Sequence, residues 1–164
     1  MLQVDAHLDF RDEVAGVRNG YSSPMRRASE MDHVGDMLQV GLRGVGSARA
    51  EEVADARARG NTLITARELR ERGVGTVLEQ LPEGGSVFIA FDLDGLDPSV
   101  CPGVNAPAPG GLSWDEAGDL LSGTALRCRV VGAAFTELAP DRDPSGASAL
   151  VAARLVIRLL SAIR

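Results

Sequence analysis

The chain has 164 residues, 45% of them apolar, and a formal charge of −6. That excludes a disordered chain and argues against non-specific nucleic-acid binding, while the length suits one domain with a sizeable core over 1–164. All 17 basic residues are arginine, which removes mechanisms that need a lysine nucleophile or Schiff base.

No apolar run approaches a membrane span and no signal-peptide pattern opens the chain. Cys101 and Cys128 have no metal-type spacing, which fits reduced thiols and a cytoplasmic protein. In chain order, the strand candidates are Leu2–Val4, Met37–Leu42, Thr62–Ile64, Val87–Phe91 and Val130–Phe135. Ser23 before Pro24 reads as a helix N-cap with proline at the first position. "TARE" (65–68) and "SWDE" (113–116) match the capping-box pattern. The last segment sets Leu150, Ala153, Ile157 and Leu160 on one helical face and Arg154 and Arg158 on another. Strand–helix alternation of this kind predicts an α/β fold with a mainly parallel sheet.

Two strand ends carry unusual acid. "FIAFDLDGLDP" (88–98) closes an apolar run with Asp92, Asp94 and Asp97. If the strand persists, Asp92 and Asp94 share a face, and like charges packed side by side need compensation, most simply by a divalent cation. "VDAHLDF" (4–10) puts Asp5, His7 and Asp9 at alternate positions, a donor set suited to manganese, zinc or iron. Together the two ends offer five ligands from adjacent parallel strands, and the Pro/Gly loop Cys101–Leu112 follows directly, where α/β proteins place ligands.

These blocks resemble the signatures of the ureohydrolases, the arginase and agmatinase family. "DAHLD", "FDLDGLDP" with "PGVNAPAPGGL", and "FTELAPDRD" (135–143) occur in family order, and "SSPMRRASE" with "LQVGLRG" is similar to agmatinase-like members. The resemblance implies a three-layer αβα fold, of which this chain would hold about the last five of eight strands, leaving one sheet edge bare. It implies two Mn2+ ions on Asp5, His7, Asp9, Asp92 and Asp94. Asp5 and Asp92 would bridge both ions, His7 and Asp94 would serve one, and Asp9 the other, with Asp9 also carrying protons. Glu137 would pair with a substrate guanidinium. The implied reaction is hydrolysis of a small guanidino compound to urea and an amine, in a homo-oligomer with no nucleic-acid or membrane partner.

Two departures from the pattern stand out. An upstream Gly-Gly-Asp-His block, source of a further histidine ligand, has no counterpart here. Tyr21 stands where many members have a proton-shuttling histidine, and a phenol shuttles protons less readily than an imidazole. The departures keep a second reading open, a non-catalytic metal-binding remnant acting as a structural or interaction protein. "FDLDG" also mimics the nucleophile motif of haloacid-dehalogenase-type phosphatases, but no threonine follows Gly95 and the customary lysine is absent. Elsewhere, His33 reads as a helix-terminal surface residue, "EEVADARARG" (51–60) as a solvated helix, Trp114 as core packing, and Asp97 as a turn or supporting residue.

Overall fold

The computed structural model describes residues 1–163. Five strands form one sheet: β1 (Leu2–Val4), β2 (Leu38–Leu42), β3 (Thr62–Thr65), β4 (Ser86–Asp92) and β5 (Arg129–Thr136). Every pairing is parallel, in the order β3-β2-β1-β4-β5. The sheet is therefore the expected α/β type, and each strand candidate falls on a strand with ends shifted by at most one residue.

The helices are α1 (Pro24–Ala28), α2 (Ala50–Ala58), α3 (Ala66–Arg72), α4 (Val74–Leu78), α5 (Trp114–Arg127) and α6 (Ala147–Ala162). The two capping boxes form as the sequence predicts. Thr65 accepts from the Glu68 amide at the start of α3, and Ser113 from the Glu116 amide at the start of α5. Ser23 behaves otherwise. It precedes Pro24 at the start of the five-residue α1, but its hydroxyl caps nothing, because its backbone at φ −127° and ψ 0° is outside the extended conformation an N-cap adopts.

Two apolar layers pack on the sheet, although Phe88 on β4 and Val131 on β5 stay exposed. Leu2, Val4, Val40, Ile89 and Phe91 point to one face, where Leu69, Leu120, Leu121 and Leu155 from α3, α5 and α6 cover them. On the other face a smaller cluster gathers Leu8, Phe10, Met25, Met37 and Ala56 beneath α1 and α2. Trp114 packs against the larger cluster, as expected. Helix α6 meets that core through Ala152, Leu155 and Leu159, whereas Leu150, Ile157 and Leu160 are exposed. The periodicity of α6 supports either stripe; the one carrying Ala152, Leu155 and Leu159 is the one turned to the core. His33 lies exposed in a turn beyond Ala28, not at a helix end.

Chain order dictates where the ligands gather. The path runs outward from β1 through β2 to β3, then returns to place β4 on the opposite side of β1. Strand order thus reverses between β1 and β4, and their carboxyl ends flank the crevice where open α/β sheets bind ligands. Residues 5–9 and 92–94 follow those two ends directly. Gly41, at φ +100°, sits on the neighbouring strand, and a Cβ there would come within 2.9 Å of the Asp5 carbonyl.

Candidate metal centre

At the carboxyl ends of β1 and β4 lies a cavity of about 510 Å³. Asp5, His7, Asp9, Asp92, Asp94 and Glu137 all line it, and Tyr21 stands at the rim, 91% exposed. Six carboxylates, with Glu52 on the far wall, thus share the cavity with a single imidazole.

The tightest group is Asp5, His7 and Asp94, whose ligand atoms all lie within 4.8 Å of one another. His7 Nδ1 is 3.1 Å from Asp94 Oδ2 and 3.4 Å from Asp5 Oδ1. The main chain fixes these carboxylates. The Ala6 amide donates to Asp94 Oδ1 at 3.1 Å and the His7 amide to Asp5 Oδ1 at 2.6 Å. Asp9 and Asp92 line the same cavity but stand outside this triad. Asp92 accepts from the Asp94 amide at 3.3 Å and from the Thr136 hydroxyl at 3.3 Å.

Neither acidic block is an extended strand end. β1 stops at Val4, and Asp9 adopts φ +52°. β4 stops at Asp92, and residues Leu93–Gly95 wind into a 3-10 turn. Alternate spacing along a strand is therefore not what brings these groups together. The local hydrogen bonds bend each segment so that side chains two apart converge on the crevice.

Burial sets the electrostatics. It pushes the carboxyls of Asp5, Asp9 and Asp92 up, to about 6, 8 and 9 respectively, with the neighbouring acids adding to the effect. Hydrogen bonds to Asp5 and Asp94 drive His7 up to about 10. Packed acid this deep is an environment short of positive charge. Glu137 carries the same sign of deficit. It follows β5 at φ +64°, and its Oε2 is buried without a hydrogen-bond partner. Hard oxygen donors with one imidazole suit divalent manganese, so the donor set fits the ions that the sequence suggests.

Arg43, which the sequence reading passed over, braces the crevice from behind. Its guanidinium donates to the carbonyls of Gly41, Asp94, Gly95, Leu96 and Ala108 at 2.7–3.1 Å. It ties the turn bearing Asp94 to β2 and to the Pro/Gly loop. Asp97 fixes the same loop from its other side. It accepts from the Ser99 amide and hydroxyl and from the amides of Gly110 and Gly111, which holds its carboxyl down to about 2. Asp97 is thus a loop clamp and does not line the cavity. Arg11 and Glu52 pair at 3.3 Å on the far wall.

An arginase-family model matches residues 1–161. The chain belongs to the arginase family. It is 30% identical to a guanidinobutyrase of Pseudomonas aeruginosa over 98% of this chain and 51% of that protein. An N(1)-aminopropylagmatine ureohydrolase of Thermus thermophilus is 36% identical over 86% of this chain and 46% of its own length. Among solved structures, the agmatine ureohydrolase of Thermoplasma volcanium superposes with a TM-score of 0.86 at 28% identity, covering 98% of this chain and 53% of that one. This arginase-family chain therefore spans about half the length of the relatives it matches. Among its described residues, no helix is long and apolar enough to cross a membrane.

Proposed function

We propose that the chain carries the metal-binding and guanidinium-anchoring part of a manganese ureohydrolase site, acting on a small guanidino compound to give urea and an amine. One observation supports this reading above the others: Glu137, whose Oε2 is buried without a hydrogen-bond partner, lines the same cavity as Asp5, His7, Asp9, Asp92 and Asp94. A carboxylate without a donor, next to a metal-type donor set, matches a cationic substrate head.

In this reading Asp5, His7, Asp9, Asp92 and Asp94 would hold two manganese ions, which would supply an acidified water as nucleophile near neutral pH. Glu137 accepts two N–H bonds from the guanidinium, a charge-assisted pairing that fixes the plane of the reacting carbon. Such anchoring matters because a guanidinium is a weak electrophile, and orientation supplies much of what its polarity does not. Water adds to the central carbon, and the C–N bond to the tail breaks. Asp9 takes one proton from the water and passes it to the leaving nitrogen; the second follows from the added hydroxyl as the C–N bond breaks, so the products are urea and a protonated amine. Asp9 is placed for that role by lining the same cavity as Glu137 and the other ligands. Tyr21, at the open rim, donates a hydrogen bond to the leaving amine. We place the enzyme in the cytoplasm as a homo-oligomer, with no nucleic-acid or membrane partner.

A second reading rests on the geometry of the ligands. Asp9 and Asp92 stand outside the Asp5–His7–Asp94 triad. That placement supports a metal-binding remnant that holds a single ion and releases no urea. The experiment is a urea-release assay with manganese and a panel of agmatine, arginine, guanidinobutyrate and guanidinopropionate. Urea from any of them supports the enzyme; bound manganese without urea supports the remnant.

A further inference from the structure

Strands β1 and β2 both read Leu-Gln-Val, and their glutamines are in register, Gln3 opposite Gln39. Both sit in the core, 2% and 0% exposed, and Asn61 beside them is 7% exposed. Buried carboxamides need partners, and these three, two in central strands and one just before β3, find one another. Asn61 Nδ2 donates to Gln39 Oε1 at 2.9 Å, Gln39 Nε2 to Gln3 Oε1 at 2.5 Å, and Gln3 Nε2 to Asp5 Oδ2 at 2.7 Å. The chain of bonds runs one way because it ends on a carboxylate. An acceptor-only group obliges Gln3 to present its NH2, which turns Gln3 Oε1 toward Gln39 and so orders the next amide in turn.

The second hydrogens are also used. Gln39 Nε2 donates to the Leu8 carbonyl at 3.0 Å, and Gln3 Nε2 reaches the His7 carbonyl at 3.4 Å. The two glutamines therefore grip the Asp5 side chain and the adjacent carbonyls of His7 and Leu8, within the bend that presents His7 and Asp9.

We propose that Gln3, Gln39 and Asn61 form a positioning relay that sets the orientation of Asp5 and the course of residues 7–9 for metal binding. The inference rests on the metal-centre reading above. None of the three residues touches substrate. Their effect passes through the ligands, as partners of metal ligands do elsewhere, where removing one weakens metal binding by about 10–100-fold.

The test is Mn2+ titration followed by electron paramagnetic resonance on the whole chain. Gln3→Leu and Gln39→Leu are expected to bind about 10–100-fold more weakly than the wild type. Asn61→Leu, three links from the ligand, is expected to move affinity in the same direction. A core control away from the crevice, Leu69→Ala, should lose stability yet keep wild-type affinity. Relay variants that bind like the wild type, or a control that weakens equally, would overturn the relay. A second readout needs no metal. The side-chain NH2 groups of Gln3 and Gln39 should exchange slowly with solvent, and Asn61→Leu should speed both. Fast exchange in the wild type would overturn the relay on its own. A wild type with slow exchange and no manganese binding would instead remove the metal-centre reading and, with it, the relay's assigned purpose.

Discussion

Removal of Arg43 tests how the crevice is built. Its guanidinium serves five carbonyls, and of these Gly95 keeps another donor, the Leu112 amide at 3.0 Å. The carbonyls of Asp94, Leu96 and Ala108 depend more heavily on the arginine. Leaving buried acceptors unpaired costs about 1–3 kcal/mol each. Against that, burial already lowers the Arg43 pKa, so part of the loss is offset by relief of a desolvated charge. Arg43→Met should therefore destabilise the chain by about 3 kcal/mol, a large share of the roughly 5–15 kcal/mol that holds a typical domain. Lysine keeps the charge but has three donors on one atom, so Arg43→Lys should recover less than half of the loss. Urea denaturation at constant m-value measures both. A loss below about 1 kcal/mol for Arg43→Met, or full recovery by lysine, would show that the carbonyl network does not depend on the guanidinium fork.

Glu137→Gln should leave manganese binding near wild type while lowering kcat/KM for urea release by about 10–100-fold, the worth of one charge-assisted pairing; equal activity would remove Glu137 from the substrate site. The metal-free protein should lose stability as pH rises. Asp5, Asp9 and Asp92 have folded pKa values near 6, 8 and 9, above their unfolded value of 3.8, so the folded state holds extra protons whose contribution is complete below 3.8 and lost through that range. His7, raised to about 10, contributes in the same sense and loses its part as pH climbs from 6.5 through 10. Thermal melts from pH 5 to 9 should fall steadily without metal and recover with manganese; a melt that rises over this range would reverse the assignment. Gly111→Ala should destabilise by at least about 2 kcal/mol through overpacking, because the new methyl would lie 2.5 Å from the Asp97 amide nitrogen and the Leu96 carbonyl carbon. Chemical denaturation reads that change directly.

Much of the architecture was legible in the sequence. Apolar runs marked all five strands, since each strand packs at least one face on the core. Thr65 and Ser113 gave reliable helix starts because both halves of a capping box appear in the local sequence. The acid clusters were visible for the same local reason. Their geometry was not. Asp5, His7 and Asp9 alternate, but the backbone turns after Val4 under bonds from Gln3, Gln39 and Asp94, which lie 2 to 88 residues away in sequence. Gln3 and Gln39 left a signal that can be recognised in retrospect, a polar residue at the centre of two otherwise apolar strands. Arg43 left none, because an arginine after a strand is ordinary until its carbonyl partners from residues 94–96 and 108 are known. On α6, two apolar stripes compete, and only packing against α5 chooses between them.

The central claim is that Asp5, His7, Asp9, Asp92 and Asp94 together hold two manganese ions. Manganese content by elemental analysis, on purified chain dialysed after loading, tests it most directly. Two ions per chain, falling when Asp94 is changed to asparagine, is the predicted result. Fewer than two ions in the wild type would contradict the binuclear site, and content unaffected by Asp94→Asn would place any bound metal elsewhere.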